Sequence, residues 1–337
     1  MARAVVEAFR AEKRGVRWYV MAEDDTVFFV NNLVEVLGKY DHRKYYYVGM
    51  NSECIVANWE GGFGMGFGGG GYALSCPLVE ALAENLDLCI RRYEYGYGSG
   101  HVLQSCVADL GVSLTLEKGF HQIDLHGDIS GFLSSHPQSP ILSLHHLDTA
   151  NPIFPSLNRH DSLNHLMKAA QADEPRLLQQ TNCYHKPTNW TFSISWGYSA
   201  HIYESIFPPS ILQRPIETFL PWEKGAMPPF VFNTRLPSKD PCEAPHVFFF
   251  DSMEEPIGGR VVTRYVRRWQ RKLPACSESG NHSADHISKI HVVSPIGKLD
   301  GVGSRRECCD VLRVSDMKFM NATVIKLRAC LKDEIVA

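Results

Sequence analysis

Apolar and polar positions alternate along the chain with two different periods. Residues 2–13 repeat at helical spacing, with Val5, Val6, Ala8 and Phe9 facing one way and Glu7, Arg10 and Glu12 the other. This predicts an amphipathic helix closed at Gly15. Residues 17–22 form a short apolar run rich in β-formers and predict a buried strand. A second helix is expected over 30–40, with Val30, Leu33, Val34 and Leu37 on one face, and Tyr45-Tyr46-Tyr47-Val48-Gly49 reads as a strand. Ser75 or Cys76 opens a helix with Pro77 near its first turn and Leu78, Leu82, Leu86 and Cys89 as its stripe; another runs from Val102 to Leu110 and stops at Gly111. This alternation predicts an α/β domain over 1–150, with a mixed, mostly parallel sheet and covering helices. Beyond it the character changes. A helix at 160–171 and strands near 190–197 and 230–235 are interrupted by prolines, and the last fifty residues alternate in β fashion, as at His291-Val292-Val293 and Ala322-Thr323-Val324-Ile325. The expected organisation is therefore 1–150, an extension over 151–273, a mobile loop at 274–286, and a small β-rich segment over 287–337.

The strand at 17–22 runs into three consecutive acids, Glu23, Asp24 and Asp25. Open α/β sheets place ligands at the carboxyl ends of their strands. Three adjacent carboxylates repel one another unless a cation or solvent screens them, and hard oxygen donors suit Mg²⁺ or Mn²⁺. A solvated acidic turn is the plain alternative. Residues 61–71 are mostly glycine, and Gly66 to Gly71 formally matches the dinucleotide fingerprint. No acid follows at the ribose-binding distance, and the segment does not open the first βαβ unit, so the match argues little for a dinucleotide.

Composition narrows the classes. The chain has 337 residues, 44% of them apolar and 21% charged, with a net charge of −3 that gives no case for nucleic acid or an anionic membrane. The basic run Arg264 to Lys272 has helical spacing and reads as a solvated face with Trp269 tucked under it. Ten cysteines without a CxxC pair argue against a zinc ribbon and fit disulfides in an oxidising lumen. Cys89 and Cys106, on neighbouring helices, are the first choice for a bridge, with two buried thiols as the alternative. Sequons at Asn189, Asn281 and Asn321 agree with a lumenal compartment. No signal peptide is visible, and no apolar run is long enough to span a bilayer.

Several motifs occur in one order: Trp18 to Phe29 with its acids, Gly68-Gly69-Gly70-Gly71-Tyr72-Ala73-Leu74-Ser75, Gly119-Phe120-His121-Gln122, and Ser143-Leu144-His145-His146-Leu147-Asp148. They are followed by Ser193-Ile194-Ser195-Trp196-Gly197, Phe232-Asn233-Thr234-Arg235 and Arg306-Glu307-Cys308-Cys309-Asp310-Val311-Leu312. Over nearly its whole length the chain thus resembles the plant relatives of Fringe-like β-1,3-glycosyltransferases, a group filed under a domain of unknown function. The resemblance implies a GT-A-like fold lacking its first βα units, a UDP-sugar donor, a glycan or glycoprotein acceptor, and Mn²⁺ or Mg²⁺ as cofactor. It implies a Golgi lumen location through an N-terminal anchor that this chain lacks, and hence a chain that starts inside the domain and is inactive alone.

On the same resemblance Asp25, His121 and Glu23 would hold the ion. Glu23, Asp24, Gly69, Gly70 and Gly71 would lie against the donor or acceptor, with the missing Cβ atoms letting a sugar or diphosphate approach the backbone. His145 and His146 form a secondary pair, of which strand alternation allows only one to reach the site. Inverting transfer needs a general base, and where the family carries an acid this chain has Gly100, followed by His101. His101 is the candidate base, with Glu94 and Asp124 as fallbacks. A non-catalytic glycan-binding or scaffold protein is the competing expectation.

Overall fold

The computed structural model describes residues 2–12, 14–96, 98–254, 258–277, 283–296, 307–314 and 322–335. Asn281, Asn321, Arg306 and the middle of the expected 274–286 loop lie outside the described residues. The chain forms two compact units: Met1–Gly127 with Ile141–Asn151 and Leu220–Phe232, and Asp128–Pro140 with Pro152–Phe219 and Asn233–Ala337.

In the first unit, helix α1 (Ala2–Ala11) buries Val5, Val6 and Phe9 as its pattern predicts. Strand β1 (Trp18–Met21) leads through the acidic turn to β2 (Val27–Phe28), then α2 (Val30–Leu37), β3 (Tyr47–Gly49), α3 (Ile55–Gly61), β4 (Tyr72–Ser75), α4 (Cys76–Arg92) and α5 (Gly98–Asp109). β5 (Leu114–Leu116), β6 (Phe120–His121), β7 (Leu125–Gly127) and β8 (Ser143–Leu144) follow. A four-stranded sheet runs β1-β4-β3-β5. Its side chains alternate between two cores: Tyr19, Tyr47, Tyr72 and Leu74 pack with α1, α4 and α5, while Val20, Val48 and Ala73 pack with α2, Phe120 and Leu142. On α2 the buried stripe is Leu33, Val36 and Leu37, whereas Val30 and Val34 are exposed, so the expected face is turned by about one residue.

The fold class expected from the sequence is not what forms. β4 pairs antiparallel with both β1 and β3, and only β3–β5 is parallel, so the sheet is mixed without being mostly parallel. The glycine run lets the chain double back into β4: Gly71 has φ +86, and a Cβ on Gly66 would meet the Tyr47 hydroxyl at 3.0 Å. The second unit departs further. Its eight-stranded sheet runs, edge to edge, Cys308–Arg313, Thr323–Arg328, Lys289–Pro295, Arg260–Arg267, His246–Met253, Ser199–Tyr203, Trp190–Ser195 and Gln180–His185. Every neighbouring pair is antiparallel except Lys289–Pro295 with Thr323–Arg328. The two edge strands are joined by the Cys183–Cys309 disulfide, so the sheet nearly closes into a barrel. With only 27% helix and this barrel-like sheet, the protein is not a GT-A, Rossmann-like α/β fold.

Two smaller expectations also change. The basic run from Arg264 belongs to the strand Arg260–Arg267, where Val261, Thr263 and Tyr265 point inward at period two, and Trp269 is 58% exposed instead of tucked beneath a helix. The strand expected at 230–235 reduces to isolated bridges, Cys54 with Phe230 and Ile216 with Arg235, because prolines at 228, 229 and 237 deny the ladder its donors. Helix Arg159–Ala172 forms as expected, capped by Asn158, whose side chain accepts from Asp161 N at 2.8 Å. The Cys89–Cys106 bridge forms between α4 and α5, and Cys242–Cys276 and Cys308–Cys330 add to the cross-linking of the second unit. Among the described residues no helix is long and apolar enough to cross a membrane.

Candidate metal centre and cleft

The site lies in the first unit, where β2, β8 and β6 form a small sheet, β2–β8 antiparallel and β6–β8 parallel. This arrangement sets the residue after β8, His145, beside the turn between β1 and β2 that carries the acids. Thr26 fixes that turn by donating from its hydroxyl to Gly69 O at 2.7 Å. His145 Nε2 lies 3.0 Å from Asp25 Oδ1 and 3.5 Å from Glu23 Oε2 without aligning on either as a hydrogen bond. Its Nδ1 is 3.0 Å from Gln122 O, an acceptor that obliges Nδ1 to carry the proton.

Burial opposes a charge on His145, but Glu23, the Gln122 carbonyl and Asp25 outweigh it and raise the pKa above the ordinary histidine value. Glu23 is correspondingly held below the usual carboxylate range by His145, against the opposing effect of its own partial burial. Two donors about 2.1 Å from one octahedral ion, at right angles to each other, stand about 3 Å apart. The Asp25–His145 separation matches that, and the imidazole with its far nitrogen tied to a carbonyl is a ligand with its tautomer already set. Asp25, His145 and His146 offer donor atoms that all lie within 4.8 Å of one another.

His121 is placed differently from the expectation raised by the resemblance. Its Nδ1 is 2.9 Å from Glu53 Oε1, both side chains are buried, and the other Glu53 oxygen accepts from Ile123 N at 2.8 Å. It belongs to a separate group of donors from the one containing Asp25. The histidine the structure brings to Asp25 is His145, and His146 comes with it. Strict strand alternation would send the two rings to opposite faces, but β8 ends at Leu144 and His146 takes φ +56, so the rings lie 3.6 Å apart. Asp24 is exposed and does not belong to this group of donors.

The glycines serve the site from within. A Cβ at Gly69 would sit 2.1 Å from the His145 ring, one at Gly70 would press on the Gln122 backbone at 3.0 Å, and one at Gly71 would meet Phe28 at 3.1 Å. The space left open at Gly69 is thus filled by the protein's own imidazole. Gly69→Ala should displace His145 and weaken Mn²⁺ binding at least about tenfold, while Gly64→Ala, where a Cβ would meet only Gln104 Nε2 at 3.4 Å, should not; calorimetric titration checks this, and equal affinities would show that the ring position does not depend on Gly69.

Beside this group opens a cleft of about 300 Å³, with Glu23, Gln122, Asp124 and His146 on one side and Gly98, Ser99, Gly100 and His101 of α5 on another. Helix α5 begins at Gly98, four residues earlier than expected, which puts Gly100 and His101 in its first turn. A Cβ on Gly100 would meet Met65 Sδ at 2.9 Å. Of the fallback bases, Glu94 is exposed and does not line the cleft. Asp124 does, but it is buried and bound by Ser52 Oγ at 2.5 Å and Gln122 Nε2 at 3.3 Å. Sequence reasoning missed Trp222 and Glu223, which enter the same cleft from a distant segment. Trp222 N donates to Asp124 O at 2.9 Å, and its indole is stacked between His146 at 4.4 Å and His126 at 4.2 Å. Nothing local in Pro221-Trp222-Glu223-Lys224 signals that placement.

No curated protein matches the chain. Residues 57–309, a span that contains His121, His145 and Glu223, match the family described as "Protein of unknown function, DUF604". The chain belongs to that family.

Proposed function

We propose that Glu23, Asp25 and His145 hold a divalent cation, Mn²⁺ or Mg²⁺, and that the chain transfers a sugar from a UDP-sugar to a hydroxyl of a glycan or glycoprotein, with inversion. The observation that carries the reading is a buried His145 Nε2 lying 3.0 Å from Asp25 and 3.5 Å from Glu23 without a hydrogen bond to either, while Nδ1 is tied to the Gln122 carbonyl. Bound there, a divalent ion supplies electrostatic stabilisation of a departing diphosphate. The chain's own residues then have clear tasks. Gln122 orients the imidazole, Gly69 leaves room for it, Thr26 holds the acidic turn, and the adjoining cleft is large enough for one sugar residue. The motif series that resembles the plant Fringe-related group supports the substrate class. Four disulfides among the described residues, and the exposed sequon residue Asn189 in a turn between two strands, support folding in an oxidising lumen such as the Golgi. The test is calorimetry of UDP with and without Mn²⁺, followed by transfer assays over a panel of UDP-sugars and glycan acceptors. UDP binding that is indifferent to Mn²⁺ would overturn the reading. Gly100 favours a second reading, a glycan-binding protein without catalysis, which predicts glycan retention with no turnover from any donor.

A further inference from the structure

We propose that Glu223 is the catalytic base that takes the proton from the acceptor hydroxyl, the task left without an acid at Gly100; the inference rests on the transferase reading above. Four acids line the cleft: Glu23, Glu60, Asp124 and Glu223. Glu23 is engaged with His145 on the cation side. Asp124 has its two oxygens occupied by Ser52 and Gln122, with His146 Nδ1 3.4 Å away, so its lone pairs are committed to holding the cleft wall. Glu60 stands exposed at the end of α3, where bulk water competes for any proton it would take. Glu223 alone combines partial burial with a carboxylate that has no hydrogen-bond or ion-pair partner among the described residues.

Its backbone is nonetheless firmly placed. Trp222, the preceding residue, is hydrogen-bonded to Asp124 O and clamped between His146 and His126. Glu223 O lies 3.9 Å from Cys54 Sγ, a loose contact on the other side of the same peptide segment. A base must be held where the reacting hydroxyl arrives, with free lone pairs and little competing solvent. Position 223 meets those conditions next to the residues that adjoin the cation group. In the reaction, the acceptor O–H proton passes to a Glu223 carboxylate oxygen as the acceptor oxygen bonds to the anomeric carbon. The bond from that carbon to the donor diphosphate breaks, its electron pair leaving with the nucleoside diphosphate. Glu223 then returns its proton to solvent.

The experiment compares the full chain with Glu223→Gln, Glu223→Asp and His101→Ala, measuring transfer kinetics and, separately, UDP affinity in Mn²⁺ by calorimetry. Glu223→Gln should lower kcat by about 10²–10⁴-fold with donor KM, UDP affinity and melting temperature unchanged, and Glu223→Asp should restore part of the loss. His101→Ala, which alters the cleft lining, should lower kcat by clearly less than Glu223→Gln does, because the imidazole does not take the proton in this assignment. If Glu223→Gln turns over like the parent, or if His101→Ala takes the large kcat loss instead, the assignment is wrong while the transferase reading stands. A parent chain that binds UDP with Mn²⁺ yet transfers to no acceptor overturns both.

Discussion

His145→Ala should abolish Mn²⁺ binding, and His121→Ala should leave it nearly intact. The two variants separate what the resemblance implies from what the geometry supports. His145 provides one of the donor atoms around Asp25, and its loss leaves an acidic turn whose carboxylates are 28% and 47% exposed and well solvated. Removing one first-row metal ligand from a site this small should cost at least about 100-fold in affinity, or roughly 3 kcal/mol. Asp25→Ala should match it, because the carboxylate and the imidazole act on the same ion. His121→Ala acts elsewhere. It leaves Glu53 buried with one oxygen unpaired, which should lower stability by about 1–3 kcal/mol without touching the Asp25 group. Calorimetry with Mn²⁺ and a thermal melt on each variant give the two readouts. A His121→Ala chain that melts normally but no longer binds Mn²⁺ would return the ligand role to His121.

What the sequence disclosed depended on how local the determining interactions are. The strand at 18–21 and the acids after it were legible because an apolar run meets three carboxylates within eight residues. The direction of pairing was not, since a period of two marks a strand without saying which way its neighbour runs. That direction is decided by the return through the glycine run, where Gly71 takes φ +86. The same run was legible as a place of close approach, but not as one where the approaching group is His145, 76 positions away. His146 defeats the alternation rule through a left-handed backbone that no residue type at that position announces. In the second unit, individual strands such as 190–195 and 323–328 could be read from their β-formers. The near-closure of the sheet could not, because it follows from which of ten cysteines pair, and Cys183 with Cys309 is one choice among many. Glu223 was invisible for a similar reason: its address is given by contacts of Trp222 with Asp124, His126 and His146, none of them near in sequence.

The second unit should lose stability steeply as pH falls below about 6.5, chiefly through His201. This residue lies on the strand Ser199–Tyr203 inside the eight-stranded sheet, where burial and, secondarily, the Arg235 charge push its pKa down to about 3. The unfolded chain therefore binds a proton near pH 6.5 that the folded chain refuses until about pH 3, so protonation favours unfolding throughout that window. The contribution of neutral His201 is fully present above pH 6.5 and is lost progressively below it, amounting to about 5 kcal/mol once the pH reaches the folded value. Two neighbours in the same unit work in the same direction. His246 is also held below the ordinary histidine value, by burial first and by Arg271 and Arg267, against the pull of Glu204. Glu204 itself sits at about 2, where hydrogen bonds from His246, Cys276 N and Ala284 N together with the Arg271 charge outweigh burial, so its share is lost only below the ordinary carboxylate range. Arginine cannot be titrated away here, which keeps the field on both histidines constant across the window. Urea unfolding at pH 7.5, 5.5 and 4.5 should show the fall, and His201→Gln, which keeps a polar side chain of similar reach without a titrating proton, should remove most of its slope. A slope unchanged in His201→Gln would place the acid sensitivity with His246 instead, since Glu204 contributes only below the range measured.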